Sequence, residues 1–152
     1  DVDNYRSENI RIRFLGDLTV FDAKMQAKMA EIEKTSRDNT GLTLNLAVNY
    51  GGRSELTSAA RQLALDAAAG KIRPEEITEQ MLADRLYTKG EPDVDLIIRP
   101  SGEYRLSNFL IWQSAYAEYV FMDEILWPDF KPADLDRALE EYQCRNRRFG
   151  GV

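Results

Sequence analysis

The feature that most constrains this chain is the alternation of short apolar runs with longer segments of helical periodicity. The run LTLNLAV (42–48) is rich in Leu and Val and is followed by a Gly-Gly break and then a helical segment at 54–69. A second run, 94–98, is nearly all apolar, which is typical of a strand covered on both faces. Strands that alternate with helices predict βαβ units and a parallel sheet. We therefore expect an α/β fold with an open, mainly parallel β-sheet flanked by helices on both faces.

The remaining elements are predicted from periodicity, caps and breakers. Thr78 is the expected N-cap of a short helix, and Gly70 is the expected C′ residue of the helix before it. In chain order, the sequence predicts strands at 10–15, 42–48, 94–98 and 119–122 and helices at 22–36, 54–69, 78–87, 107–117 and from 132 onward.

Open parallel sheets bind ligands beyond the carboxyl ends of their strands. In this sequence that position corresponds to residues 49–53 and 99–107, which follow two of the predicted strands. The net charge of −6 argues against a general nucleic-acid or anionic-membrane surface. An anionic ligand would therefore need a local cluster of cations. Residues 49–53 and 99–107 are the segments where such a cluster is expected.

The residue inventory restricts the possible chemistry. The chain has no histidine and a single cysteine, Cys144. This excludes histidine- or cysteine-rich zinc sites, histidine-based triads and an internal disulfide framework within the chain. A lone cysteine, no signal peptide and no apolar run of about 18 residues favour a cytoplasmic location. Asp1 stands in the middle of a pattern, so we expect the true N-terminus to lie further upstream.

Arg99, Arg105 and Ser107 form the first candidate site. Arg99 follows a predicted strand directly, Gly102 lets the chain turn back, and Ser107 precedes a predicted helix. Two guanidiniums, a hydroxyl and the amides of a helix N-terminus suit a diphosphate, because Arg binds phosphate oxygens bidentately. The alternative is a structural network in which both arginines pair with Glu103 or Asp95.

Glu118 is the candidate metal ligand. It ends a largely apolar segment, where a carboxylate is costly unless a cation or a metal neutralises it. Mg²⁺ bridging to a nearby diphosphate would need only one or two protein carboxylates. A salt bridge from Glu118 to Arg99 or Arg105 is the alternative.

Two further stretches carry weaker signals. Asn49 and Arg53 flank a Gly-Gly pair that could approach a ligand closely, or could form only a tight turn with a surface arginine. The tail 145–151 (RNRRFGG) is basic, as expected of cations that offset the dipole of a last helical turn before glycine ends it.

Three stretches taken together resemble the cis-prenyltransferases, the undecaprenyl diphosphate synthase family. They are LNLAVNYGGRSEL (44–56), DLIIRPSGEYRLSNFLIWQSAYAEYVFMDEILWPDF (95–130) and NRRFGG (146–151), and NIRIRFLGDL (9–18) fits as well. The resemblance implies an Mg²⁺-dependent enzyme that adds isopentenyl diphosphate to an allylic diphosphate, usually farnesyl diphosphate, to make a long-chain product such as undecaprenyl diphosphate, the cell wall lipid carrier. It also implies a homodimer, with possible peripheral membrane contact for product release.

The resemblance assigns roles by residue. Arg99, Arg105 and Ser107 would hold the diphosphate of isopentenyl diphosphate, with Leu106 contributing its backbone. Glu118 would help to bind Mg²⁺. Arg148 and Gly150, in the family's Arg-x-Gly, would reach the partner's site across the dimer.

The sequence also departs from the family pattern. Pro100 and Tyr104 stand where many members have Thr and His or Gln. The family's Asp-Gly-Asn-Gly-Arg phosphate loop does not occur in these 152 residues. We therefore expect residues 1–152 to be the C-terminal part of a single catalytic domain, with one or more N-terminal strands missing, no catalytic residue of its own, and no activity alone. A non-catalytic partner subunit of a prenyltransferase complex is the alternative, and an unrelated phosphate-binding α/β protein is a weaker one.

Overall fold

The computed structural model describes residues 8–145 and divides the chain into two compact units, 1–90 and 91–152. In the first unit, strand β1 (Arg11–Leu15) pairs in parallel with β2 (Thr43–Ala47), and Arg11 lies opposite Thr43. Helix α1 (Ala23–Ser36) connects the two strands, which makes a βαβ unit. This part of the predicted fold class is confirmed.

The rest of the first unit is helical. Helix α2 (Gly52–Ala68) follows β2, and the short helix α3 (Glu79–Ala83) follows it. Short 3₁₀ segments lie at Leu18–Val20 and Pro74–Glu76. The buried apolar side chains of this unit are Ile12, Leu15, Met29, Ala59, Leu63 and Leu86.

In the second unit, β3 (Leu96–Pro100) pairs in parallel with β4 (Glu118–Met122). A 3₁₀ segment (Trp127–Asp129) and helix α4 (Pro132–Gln143) complete the unit. Its core consists of Val120, Met122 and Ala138, with Leu96, Ile98, Ile125 and Phe130 packed around them. The unit is again built from parallel strands and a helix that follows them.

The predicted caps have clear outcomes. The Thr78 hydroxyl accepts a hydrogen bond from the Met81 amide, which confirms the N-cap of α3. Gly70 follows the C-cap residue of α2 and has φ +70°, which confirms the predicted C′ glycine. Helix α3, by contrast, stops at Ala83, short of Tyr87.

The predicted helix at 107–117 is wrong. This segment is a series of turns, because Ser107, Asn108 and Leu110 have positive φ angles of 50°, 64° and 46°. A right-handed helix cannot contain residues in the left-handed region, so the apolar periodicity of the segment is not expressed as a helix. No helix in residues 8–145 combines the length and apolar character needed to span a bilayer.

Candidate functional site

Arg99 and Ser107 are brought together by the turn that follows β3. Arg99 lies in β3 opposite Phe121 of β4, which fixes its backbone. Its Nη2 donates a hydrogen bond to Ser107 Oγ at 3.1 Å. Arg99 Nε is buried and has no hydrogen-bond partner in the part of the chain that the structure describes. A buried guanidinium N–H without an acceptor is costly, and an anionic oxygen would satisfy it.

The turn itself is built from left-handed residues. Ser101 and Gly102 have φ angles of 78° and 65°, and Ser107 begins a second left-handed stretch. Backbone in this region costs free energy for residues other than glycine and persists only where neighbouring contacts fix it. The structure therefore corrects one element of the sequence argument: these turns, and not the N-terminus of a helix, supply the amides near Ser107.

Arg105 is the most exposed member of the cluster. Its guanidinium forms an ion pair with Glu103, and its side chain is 69% exposed. This pairing was the structural alternative for Arg105, and the structure contains it. An exposed ion pair contributes little to stability, so Arg105 could exchange Glu103 for a ligand anion at small cost. The carbonyl of Leu106 accepts a hydrogen bond from Phe109 at 3.1 Å and closes the turn between the two.

Glu118 is the first residue of β4 and lies opposite Leu96 of β3. Its Oε2 accepts a hydrogen bond from Arg145 Nη1 at 3.2 Å, so its partner is neither Arg99 nor Arg105. Arg145 also pairs with Glu141, and its pKa is raised first by the hydrogen bond to Glu141 and then by that to Glu118. In the sequence, Arg145 was noted only as part of the basic tail 145–151, and that pattern did not indicate Glu118 as its partner.

The side chains around Glu118 could supply a single protein ligand to a Mg²⁺ ion whose other ligands come from elsewhere. Within residues 8–145 no three acidic, histidine or cysteine side chains cluster closely enough to hold a metal. Mg²⁺ usually takes one or two carboxylates and completes its coordination with phosphate and water oxygens. Glu118 Oε1 carries no hydrogen bond within these residues, so a single carboxylate oxygen fits that arrangement.

Asn49 and Arg53 lie in the first unit, at the end of β2 and the start of α2. Asn49 has φ +46° and donates from Nδ2 to the carbonyl of Asp17 at 2.9 Å. This bond holds the turn after β2 against the turn after β1. Arg53 is exposed in the first turn of α2.

Asn49 lines a cavity of about 600 Å³ at residues 49–53, one of the two segments that the sequence analysis places beyond the ends of strands. Its other lining residues are Asp17, Tyr50, Gly51, Ser54, Thr57, Ser58, Arg61 and Tyr87. Burial raises the pKa of Tyr87, with smaller contributions from the charges of Asp17 and Glu55. The Thr19 hydroxyl and amide lower the pKa of Asp17. The cavity mixes one cation, one anion and several hydroxyls, so its charge alone does not define a ligand.

Glu55 lies close to this cavity and is the least expected residue of the first unit. Its side chain is 2% exposed, and it accepts hydrogen bonds from the Tyr50 hydroxyl and from the Tyr87 amide at 2.7 Å.

The predicted residues Arg148 and Gly150 lie outside the described residues.

Comparisons with known proteins agree with one another. The family model Prenyltransf, whose description names undecaprenyl diphosphate synthase, matches residues 1–150. The chain is 49% identical over its whole length to the isoprenyl transferase of Clostridium perfringens, of which it covers 60%. It is 48% identical to the ditrans,polycis-undecaprenyl-diphosphate synthase ((2E,6E)-farnesyl-diphosphate specific) of Pasteurella multocida, again over its whole length, and covers 63% of that protein. The chain thus spans about 60% of the length of these curated relatives.

A solved structure of a diphosphate synthase is also similar to this chain. Lavandulyl diphosphate synthase from Lavandula x intermedia, in complex with dimethylallyl diphosphate, matches with a TM-score of 0.89 and 37% identity. The match covers 99% of this chain and 68% of that one.

Proposed function

Because this chain belongs to the undecaprenyl diphosphate synthase family of isoprenyl transferases, we propose that it carries the isopentenyl diphosphate site of a cis-prenyltransferase. The observation that carries the proposal is the contact between Arg99 and Ser107, with the buried Arg99 Nε left unpartnered among the described residues. Arg105 and the backbone of Leu106 complete the proposed diphosphate site. Asn49 and Arg53, in the first unit, are separate and weaker candidates for contact with substrate.

The chemistry of chain elongation fits these groups. As the allylic carbon–oxygen bond breaks, negative charge develops on the leaving diphosphate, and fixed cations stabilise that charge. A second diphosphate held by Arg99, Arg105 and Ser107 would place the alkene of isopentenyl diphosphate beside the allylic carbon. Holding two reactants in one orientation removes much of the entropic cost of their reaction.

Glu118 is our proposed magnesium ligand. When bound, Mg²⁺ would neutralise diphosphate charge and assist departure of the leaving group. The contribution of this chain is one carboxylate, which Arg145 and the start of β4 hold in place. The absent ligands would be phosphate and water oxygens together with a carboxylate from outside these residues.

An apolar channel for the growing chain is also part of the proposal. Leu42, Leu44 and Leu46 alternate along β2 and the residue before it, and their exposed fractions are 64%, 36% and 38%. Alternate residues of a strand point to one face, so these three form an apolar stripe. A stripe of this kind suits a prenyl chain, and it supports the view that β2 forms part of the channel wall.

The activity, substrates and partners of the whole protein remain proposals, because this chain spans only part of its relatives. We propose farnesyl diphosphate as the allylic substrate, a long-chain product such as undecaprenyl diphosphate, a homodimer completed through Arg148 and Gly150, and a cytoplasmic enzyme with peripheral membrane contact for product release. We also propose that residues 1–152 form part of one catalytic domain and are inactive alone. The alternative, a non-catalytic partner subunit, is not favoured, because the curated relatives are named as transferases and synthases.

The experiment is steady-state kinetics on the full-length protein with isopentenyl and farnesyl diphosphates. Arg99→Ala should raise the KM for isopentenyl diphosphate about tenfold or more, as expected for loss of a charge-assisted contact. The KM for the allylic substrate should change less than twofold. Arg137→Ala, which removes an exposed arginine of α4 far along the chain from the cluster, is the matched control. If both KM values stay unchanged in Arg99→Ala, the proposed site is wrong.

A further inference from the structure

The turn that carries Arg105 and Ser107 contacts the backbone of the residues that follow β4. The amide of Ser101 donates to the carbonyl of Ile125 at 2.8 Å. A Cβ placed on Gly102 would lie 3.7 Å from the carbonyl oxygen of Asp123, so the turn lies directly against that backbone. Both contacts involve the start of the turn, at Ser101 and Gly102, and not its outer part between Gly102 and Ser107.

Tyr104 supplies that attachment. Its ring packs on Phe121 of β4 with 4.9 Å between the ring centroids, and its hydroxyl donates a hydrogen bond to Asp123 Oδ2. The same bond raises the pKa of Tyr104, so the phenol keeps its proton at physiological pH. Tyr104 is 64% exposed, and burial alone therefore does not explain its position. The ring contact with Phe121 and the hydrogen bond to Asp123 together fix the orientation of the Tyr104 side chain and its distance from the end of β4.

Apart from the hydrogen bond that Ser107 accepts from Arg99, the neighbours of Tyr104 have little support other than this attachment. Arg105 is largely exposed, and its described ion pair is local, with Glu103 of the same turn. Ser107 has a positive φ and is followed by turns, so no helix supports it from the other side. Strained backbone of this kind keeps its geometry only when surrounding contacts determine it. Within the outer part of the turn, the Tyr104 ring contacts Phe121 of β4 and the Tyr104 hydroxyl contacts Asp123, which follows β4.

We propose that Tyr104 and Asp123 form a positioning pair that holds Arg105 and Ser107 in the geometry required by a substrate diphosphate. This inference rests on the proposed function and extends it to two residues that touch no substrate. Asp123 anchors the phenol, Tyr104 sets the path of the backbone, and Arg105 and Ser107 meet the anion. Loss of the bond would loosen the diphosphate site and leave the allylic site unaffected.

The test compares Tyr104→Phe with Tyr119→Phe in the full-length protein. Tyr104→Phe keeps the ring on Phe121 and removes only the hydroxyl. Tyr119 stacks on the same Phe121 ring at 6.0 Å, and no hydrogen bond from its hydroxyl occurs among the described contacts, so it is a matched loss of a phenol oxygen. Tyr104→Phe should raise the KM for isopentenyl diphosphate about three- to tenfold, less than the full loss of a hydrogen bond to a charged group, because Tyr104 acts on the diphosphate only through Arg105 and Ser107. The KM for the allylic substrate and kcat should change less than twofold, and Tyr119→Phe should match the wild type.

Asp123→Asn and the double variant complete a cycle, with binding of inorganic pyrophosphate and thermal unfolding as further readouts. If the two residues act through one bond, the double variant should be no worse than either single variant. Additive effects, or an unchanged KM in Tyr104→Phe with unchanged pyrophosphate binding, would overturn the pairing. Failure of the proposed function is distinguishable, since the wild type would then show no turnover of isopentenyl diphosphate.

Discussion

Arg145, just beyond the end of α4, donates a hydrogen bond to Glu118 at the start of β4, with 3.2 Å between Nη1 and Oε2. The same guanidinium pairs with Glu141 of α4, so one cation is shared by two carboxylates. The contact joins the last helix of the second unit to its parallel strand pair. Arg145 is thus the cation that pairs with Glu118 in this structure.

The first prediction separates these two carboxylates. Glu118→Gln should raise the Mg²⁺ concentration for half-maximal activity about fivefold or more, since a neutral amide is a poorer ligand for a hard cation than a carboxylate. Glu141→Gln is the matched control, because Glu141 shares Arg145 but lies on α4. It should shift the half-maximal Mg²⁺ concentration less than twofold. Titration of Mn²⁺ binding by electron paramagnetic resonance gives a second readout that is independent of turnover.

Equal shifts in the two variants would contradict the ligand role of Glu118. In that case the carboxylate would serve only as the partner of Arg145. Removal of divalent cations with a chelator should abolish turnover in the wild type and leave thermal unfolding unchanged, because no cluster of three metal-ligating side chains occurs within residues 8–145.

The second prediction separates the hydroxyl of Ser107 from its backbone. Ser107→Ala and Ser107→Gly both remove the acceptor of Arg99 Nη2, so both should raise the KM for isopentenyl diphosphate by a similar factor. Ser107 has φ +50°, where glycine is favoured by about 1 kcal/mol over residues with a Cβ. Ser107→Gly should therefore unfold at a higher temperature than Ser107→Ala. If the KM for isopentenyl diphosphate rises in Ser107→Ala but not in the more stable Ser107→Gly, the backbone conformation at Ser107, and not its hydroxyl, determines binding.

The site around Arg99 shows how much the sequence could predict. A strand close to Arg99, the turn at Gly102 and the proximity of Ser107 followed from local patterns, because each depends on residues close in sequence. The strand end was predicted too early, since β3 runs through Arg99 to Pro100. The helix expected after Ser107 did not form, since apolar periodicity does not reveal that successive residues take positive φ. Long-range partners were also missed. Arg145 meets Glu118 across 27 residues and Tyr104 meets Asp123 across 19, and only the folded strand pair brings such residues together.

The third prediction concerns buried Glu55 of α2. Glu55→Ala would leave the Tyr50 hydroxyl and the Tyr87 amide without their acceptor, at a cost of about 2 kcal/mol or more of unfolding free energy. Glu79→Ala removes an exposed acidic residue from the first turn of α3 and should cost about 0.5 kcal/mol or less. Urea unfolding of both variants measures the difference. Similar midpoints and slopes would mean that the hydrogen bonds of Glu55 add nothing to stability.

The last prediction uses pH. Asp66 of α2 accepts hydrogen bonds from Arg85 at 2.8 Å and Lys71 at 3.1 Å, and these lower its pKa below the ordinary value of 3.8, with Arg85 the larger cause. A carboxyl with a depressed pKa in the folded state stabilises the fold above its unfolded pKa and loses that contribution as pH falls through the folded value. Asp66→Asn should therefore lower the melting temperature at pH 7, and the difference from wild type should shrink from about pH 4 downward. Asp38→Asn, which replaces an exposed carboxyl with no described ion pair, is the control and should leave the melting temperature at pH 7 close to that of the wild type. A difference for Asp66→Asn that stays constant between pH 7 and pH 3 would rule out the ion pair as its cause, because a packing defect does not titrate.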